Sequence, residues 1–237
     1  YINRLIGAAS GIPILIFTIM SIWLWKDRKR FLILSILTVF AMAFQAWLGK
    51  TVVDSNLAPY KITVHMVMAL VIVAIILYLI FIAKETTKHQ RYDKGFRHIM
   101  VFATLLTLVQ IILGTQVRQY VDEQVKDIGY IKSQWLADPT VSFYVHRTLS
   151  LLVLAVNGWL FYRNKTLNLG YTKLNIVLIG IGLEIITGIL MYYFDFPFST
   201  QPTHLVLAAI LIGVQFYLVL ESNQKKINVN RIEFEKS

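Results

Sequence analysis

Three of the five histidines, His65, His146 and His204, stand where an imidazole could do chemistry rather than meet water. Each opens a long apolar stretch, at the mouth of a segment suited to lipid, where ionisable side chains are costly and usually functional. Two of them share a register: Gly49 precedes His65 by sixteen residues and Gly188 precedes His204 by sixteen. Gln45 and Glu184 stand four residues before those glycines, and Pro59 with Thr63, or Pro202 with Thr203, lies before each histidine. The offset between these copies is 139 residues. A second correspondence, at offset 143, lays Tyr1, Asn3 and Arg4 on Tyr144, His146 and Arg147. One histidine at a helix mouth most simply bonds a loop carbonyl or a head group. Three at one depth, two in repeat register, argue for ligation. His89 and His98 fall in and beside a basic connection and read as solvated.

Neutral imidazole suits iron, copper, zinc and nickel alike. No cluster of carboxylates accompanies the three histidines, which weighs against a compact zinc or di-iron site. Haem asks for only one or two axial imidazoles, from helices far enough apart to admit a flat macrocycle. His146 and His204 form such a pair in the C-terminal half. In the N-terminal half the corresponding pair is His65 and position 3, which is Asn3, so the halves are unequal. Arg4 and Arg147 directly follow the ligand positions, and Arg118 closes another helix on the same side. Their planar forks match carboxylates such as haem propionates, with head-group anchoring as the plain alternative. Gln45, Gln110 and Glu184 each stand four residues before a glycine (Gly49, Gly114, Gly188), which puts polar group and small residue on one helix face. Helix packing and a haem-facing role stay open for them. Glu184 requires a proton or a partner, because a bare carboxylate in lipid is expensive.

The elements that must position these groups follow from composition. Of 237 residues, 57% are hydrophobic and 15% charged, against about a quarter charged in soluble domains. The charges are gathered into short connections between apolar runs of membrane-spanning length. Seven spans are expected, at 2–25, 31–53, 62–83, 98–117, 143–162, 174–194 and 203–220, giving an all-α polytopic membrane protein. Pro13 falls inside the first, where lipid-embedded helices tolerate it. The connections 26–30, 84–97 and 163–173 each carry +3, whereas 50–61, 118–142 and 195–202 carry +1, −1 and −1. Basic loops stay inside, so the histidine ends and the long 119–142 connection face out and the C-terminus faces the cytoplasm. Four helices separate equivalent elements, so the copies insert in the same direction, a parallel duplication. The duplication divides the chain into an N-terminal half, 1–97, and a C-terminal half, 98–237. The net charge of +10 lies mostly in loops and forms no basic stripe interleaved with aromatics, which excludes nucleic acid as a partner. Cysteine is absent, so thiolate ligands and cysteine nucleophiles drop out. The chain opens on Tyr1 rather than Met, and preceding sequence is expected.

The stretches 1–8, 45–57, 62–66, 112–118, 143–147 and 201–205 together resemble the haem A synthase family, and the resemblance runs along essentially the whole chain. It implies eight helices in two pseudo-symmetric four-helix bundles in a bacterial inner membrane, with 1–97 a bundle lacking its first helix and 98–237 a four-helix bundle. It implies oxidation of the C8 methyl of haem O to the formyl of haem A, for maturation of a terminal oxidase. It also implies a haem b held by His146 and His204, and a substrate haem site to which His65 belongs. The family places His where this chain has Asn3, and a Glu three residues earlier, a position that would precede Tyr1. Asn3 therefore leaves one face of the His65 site open, and His65 with Asn3 is where catalysis is expected. An electron donor and haem O are the implied partners, with haem O synthase, a terminal oxidase and a second copy of the chain as further candidates. The rival readings are a non-catalytic electron-transfer cytochrome b and a haem-escorting assembly factor.

Overall fold

The computed structural model describes residues 2–23, 29–55, 59–84 and 90–223; the side chains of residues 2–4, 8 and 59 are not among those described. Every regular element among them is helical: α1 (Ile2–Ile22), α2 (Lys29–Asp54), α3 (Pro59–Ala83), α4 (Lys94–Ile128), a 3-10 turn (Lys132–Gln134), α5 (Val141–Thr166), α6 (Leu174–Tyr193) and α7 (Thr200–Ser222). Each expected span falls on one of the seven α-helices. Six of these are long and apolar enough to cross a membrane, and this fits an integral membrane protein. The helix outside that set is α5, which carries His146, Arg147, Asn157, Arg163 and Lys165.

One boundary differs widely. The fourth span was expected to close at Val117, yet α4 continues to Ile128. Its 35 residues are about 52 Å long at 1.5 Å per residue, well beyond a hydrocarbon core of about 30 Å. Hydropathy marks where lipid ends, whereas the helix itself persists because Val121, Val125 and Ile128 keep an apolar stripe at helical spacing. That stripe packs against Trp135, Leu136, Met191 and Phe196. Trp135 donates its indole N–H to Gly129 O at 3.0 Å, and Lys132 Nζ donates to Phe196 O at 2.9 Å. The α6–α7 connection that receives them holds three non-glycine residues at positive φ, Asp195 (54°), Phe196 (51°) and Ser199 (69°). Such conformations cost on the order of 1–3 kcal/mol each and persist where surroundings over-determine them.

The chain separates into two compact units between Glu85 and Thr86. In the first, α2 packs on both α1 and α3. In the second, α4 packs on α5, α5 on α6, α6 on α7, and α7 returns to α4, closing a four-helix bundle with α5 and α7 at opposite corners. Phe96, Met100, Ala103, Thr107 and Ile111 keep the 3–4 spacing of a core-facing stripe and are buried. Phe96, Met100 and Ala103 meet Leu160, Leu174, Val177, Ile181 and Leu218 in a core that fills the bundle at the end away from the histidines. That end is also tied by charge. Asp93 caps α4 by accepting from Phe96 N at 2.6 Å, and it accepts from Arg163 Nε and Nη2 at 3.1 and 3.0 Å. Lys173, at the start of α6, pairs with Glu221 at the end of α7.

Candidate functional site

Three helix hairpins each lay one imidazole against a glycine of the preceding helix. The first helix of each supplies a glycine and a polar residue one turn before it; the second helix supplies the histidine. In α2–α3, a Cβ on Gly49 would stand 3.2 Å from His65 Cε1. In α4–α5, a Cβ on Gly114 would stand 3.1 Å from His146 Cε1. In α6–α7, one on Gly188 would stand 3.9 Å from His204 Cε1. The glycine is thus the flat place on which the ring lies.

The polar residue completes the seat. Gln45 Nε2 donates to His65 O at 3.1 Å and lies 3.3 Å from His65 Nε2. Gln110 Nε2 donates to His146 O at 2.9 Å, and His146 Nδ1 lies 3.1 Å from Gln110 O. Glu184 Oε2 and Thr187 Oγ1 each lie 2.8 Å from His204 Nδ1. Of the two readings open for Gln45, Gln110 and Glu184, the bonds show the first: each side chain bridges to a histidine of the next helix, Gln110 through the backbone oxygen alone. Glu184 has the partner that its cost in lipid demanded. The match between Gly114 and His146 was not visible in the sequence, because 32 residues separate them rather than sixteen. The Gln110–Gly114 spacing, a copy of Gln45–Gly49, was the available signal.

His146 and His204 come together in the second unit, with ring centroids 6.5 Å apart and planes at 71°. They project from α5 and α7, so the gap between them is the centre of the bundle. Eleven residues further along each helix stand Asn157 and Gln215. Three turns of about 100° per residue return them to the same faces, about 16 Å deeper. Both are fully buried, and Gln215 Nε2 donates to Asn157 Oδ1 at 3.0 Å. This bond closes the bundle centre below the imidazoles, whose rings are half-buried.

A carbonyl oxygen only accepts, so His146 Nδ1 carries the proton that bonds Gln110 O. The Thr187 hydroxyl is within 2.9 Å of Leu183 O and 3.0 Å of Glu184 O. Its proton goes to the backbone, and its oxygen, like the Glu184 carboxylate, accepts from His204 Nδ1. Both rings are thereby set in the tautomer whose Nε2 lone pair is free to bind a metal. Among the described residues, no group of three or more His, Cys, Asp or Glu gathers closely enough to hold a metal ion. The donor set of the second unit is a pair of imidazoles.

The other expected site residues are placed less centrally. Arg118 pairs with Asp122, one turn on along α4, at 3.6 Å. Arg147 is exposed, reaches Tyr193 Oη at 3.5 Å and lies over the Tyr192 ring. Asn3 and Arg4 belong to the first turn of α1, but their side chains lie outside the described residues. His98 is exposed in the second turn of α4, and His89 lies outside the described residues.

Residues 1–216 match the COX15-CtaA family of cytochrome oxidase assembly proteins. The chain belongs to this family. A protein named heme A synthase from Wolbachia pipientis wMel is 25% identical over 249 residues, covering 92% of this chain and 68% of that protein. A heme A synthase from Wolbachia sp. subsp. Brugia malayi is 27% identical over 244 residues, with 90% and 70% covered. One from Flavobacterium johnsoniae is 23% identical over 249 residues, with 92% and 70% covered. The match to the family takes in all three histidine seats, so the hairpin geometry described above lies wholly within the shared region.

Proposed function

We propose that the chain is a haem A synthase, an oxidoreductase that converts the C8 methyl of haem O to a formyl group in the membrane. The observation that carries this reading is the His146–His204 pair. Two metal–nitrogen bonds of about 2 Å, with about 1 Å from each nitrogen to its ring centre, call for roughly 6 Å between centroids. The rings stand 6.5 Å apart, and both are set to offer Nε2. His146 and His204 would therefore hold a haem b as a pair of imidazole ligands, α5 presenting one and α7 the other. A haem b there supplies one-electron transfer. The Gln110 backbone oxygen, and Glu184 with Thr187, fix the two rings that would hold it, and the Asn157–Gln215 bond closes the bundle centre beneath them. Arg147, and Arg118 once released from Asp122, are the cations within the same outer region for its propionates, and Arg4 is the equivalent of Arg147 in the first unit.

In the first unit His65 would give the substrate haem O one imidazole, and position 3, an asparagine, would not supply a second, so oxidation is assigned to that site. The partners of this reading are haem O, an electron donor and membrane lipid, with haem O synthase, a terminal oxidase or a second copy of the chain alongside. The names of the relatives support the reaction. The description cytochrome oxidase assembly protein would equally suit a haem-escorting factor. The test is co-expression with a haem O synthase in a host that makes no haem A, followed by extraction and chromatography of the pigments. Haem A is expected with the wild type and none with His65→Ala. Haem O alone with the wild type would exclude the synthase, and intact oxidase maturation with His65→Ala in the native host would favour the escort.

A further inference from the structure

His65 and His204 occupy equivalent places in the duplication, yet their seats treat the imidazole in opposite ways. The offset of 139 sets Glu184 on Gln45 and Thr187 on Leu48. At His204 the partners are oxygens on Nδ1, and Nε2 is left with its lone pair. At His65 the partner on the ring is the Gln45 amide nitrogen, 3.3 Å from Nε2, and Nδ1 is buried without a hydrogen-bond partner. An amide NH2 carries two protons and no acceptor. One proton goes to His65 O; the other meets Nε2, so the lone pair that a metal would use is already engaged.

The comparison with Gln110 isolates this contact. Gln110 makes the same bond to its histidine's backbone oxygen, at 2.9 Å, but its amide is not bonded to the ring, whose Nδ1 turns to the Gln110 carbonyl instead. Of the three polar seats, the one in the first unit alone covers the ligating nitrogen.

We propose that Gln45 makes the His65 site the exchangeable one of the two. Its amide N–H competes with haem iron for His65 Nε2, so a haem there is held weakly and released, whereas the Glu184–Thr187 seat keeps His204 ready and its haem stays. The inference rests on the reading of these histidines as haem ligands. It supplies what that reading requires, a substrate site that lets its product leave beside a cofactor site that does not. Gln45 acts here as a positioning residue, through His65.

The experiment measures haem release. The purified full chain in detergent is loaded with haem b and mixed with excess apomyoglobin, and transfer is followed in the Soret band. Wild-type protein is expected to release haem in a fast and a slow phase, and His65→Ala is expected to remove the fast one. Gln45→Leu should slow the fast phase about fivefold, the worth of one ordinary hydrogen bond. Gln110→Leu, which loses only a backbone bond, should slow neither phase, and Glu184→Gln should speed the slow phase. Should Gln45→Leu not reach the membrane, Gln45→Met carries the same expectation. A fast phase that Gln45→Leu or Gln45→Met leaves unchanged or accelerates overturns the proposal while the ligand reading stands. Release in which neither His65→Ala nor His204→Ala removes a phase overturns the ligand reading itself.

Discussion

A Cβ added at Gly114 would stand 3.1 Å from His146 Cε1, and one at Gly188 would stand 3.9 Å from His204 Cε1. The first is tighter than ordinary contact, so the packed ring must give by a few tenths of an ångström; the second is ordinary van der Waals contact. Gly114→Ala is therefore expected to cost about 1–3 kcal/mol through overpacking and to distort the bis-imidazole spectrum. Gly188→Ala should leave the spectrum intact and gain up to about 1 kcal/mol of helix propensity. Visible spectra and thermal melts of the two variants, side by side, check this. At the other end of the bundle, burial, with Glu221, Asp93 and Tyr92 nearby, pushes the Tyr171 hydroxyl up to about 12. The folded state thus favours the neutral phenol. Its contribution is fully present below the ordinary value of 10.0 and is lost as pH rises through about 12. At about 1.4 kcal/mol per pH unit, the loss is roughly 2–3 kcal/mol. Alkaline melts of Tyr171→Phe should lack that component. At this scale the sequence was informative wherever spacing was short: sixteen residues made His65 and His204 equivalent. It was silent on which ring nitrogen each partner meets, since Gln45 and Gln110 are the same residue type at the same spacing from their glycines.

Among the elements, α4 departs furthest from its hydropathy. Its last eleven residues are charged enough to end a span yet remain helical, because Val121, Val125 and Ile128 find Trp135 and Phe196 to cover them. Those partners lie in connections, where periodicity gives no signal, so the apolar cluster could not be read from sequence. Trp135 is buried and makes an edge contact with Phe196 at 5.3 Å. Trp135→Ala should cost about 3–5 kcal/mol locally. Hydrogen exchange is expected to accelerate over 118–140 and 195–199 while the inner core around Phe96 and Leu174 stays protected. Uniform acceleration across both regions would mean that the cluster is not a separate cooperative unit.

For the whole molecule, the alternation of basic and near-neutral connections predicts sidedness, and the absence of cysteine makes the test direct. Single cysteines at Ser133 and at Thr166, both exposed and beyond opposite ends of the α5 apolar stretch, should react differently with an impermeant maleimide applied to intact spheroplasts. Ser133→Cys should label and Thr166→Cys should not until the membrane is opened. The helical class and the hairpin order were legible because bilayer thickness writes itself into composition. The closure of α7 on α4 was legible only through the family resemblance, since nothing in a linear pattern distinguishes a ring of four helices from a row. The hairpin construction of the seats also carries a consequence in time. Each imidazole is secured by the helix inserted just before its own, across 20 residues for His65 and His204 and 36 for His146. Ligand orientation can therefore be established one hairpin at a time as the chain enters the bilayer. The Asn157–Gln215 bond, spanning 58 residues, waits for α7. The floor beneath the paired imidazoles is thus laid after the first of them is already seated, and loading from above belongs to the last stage of biogenesis.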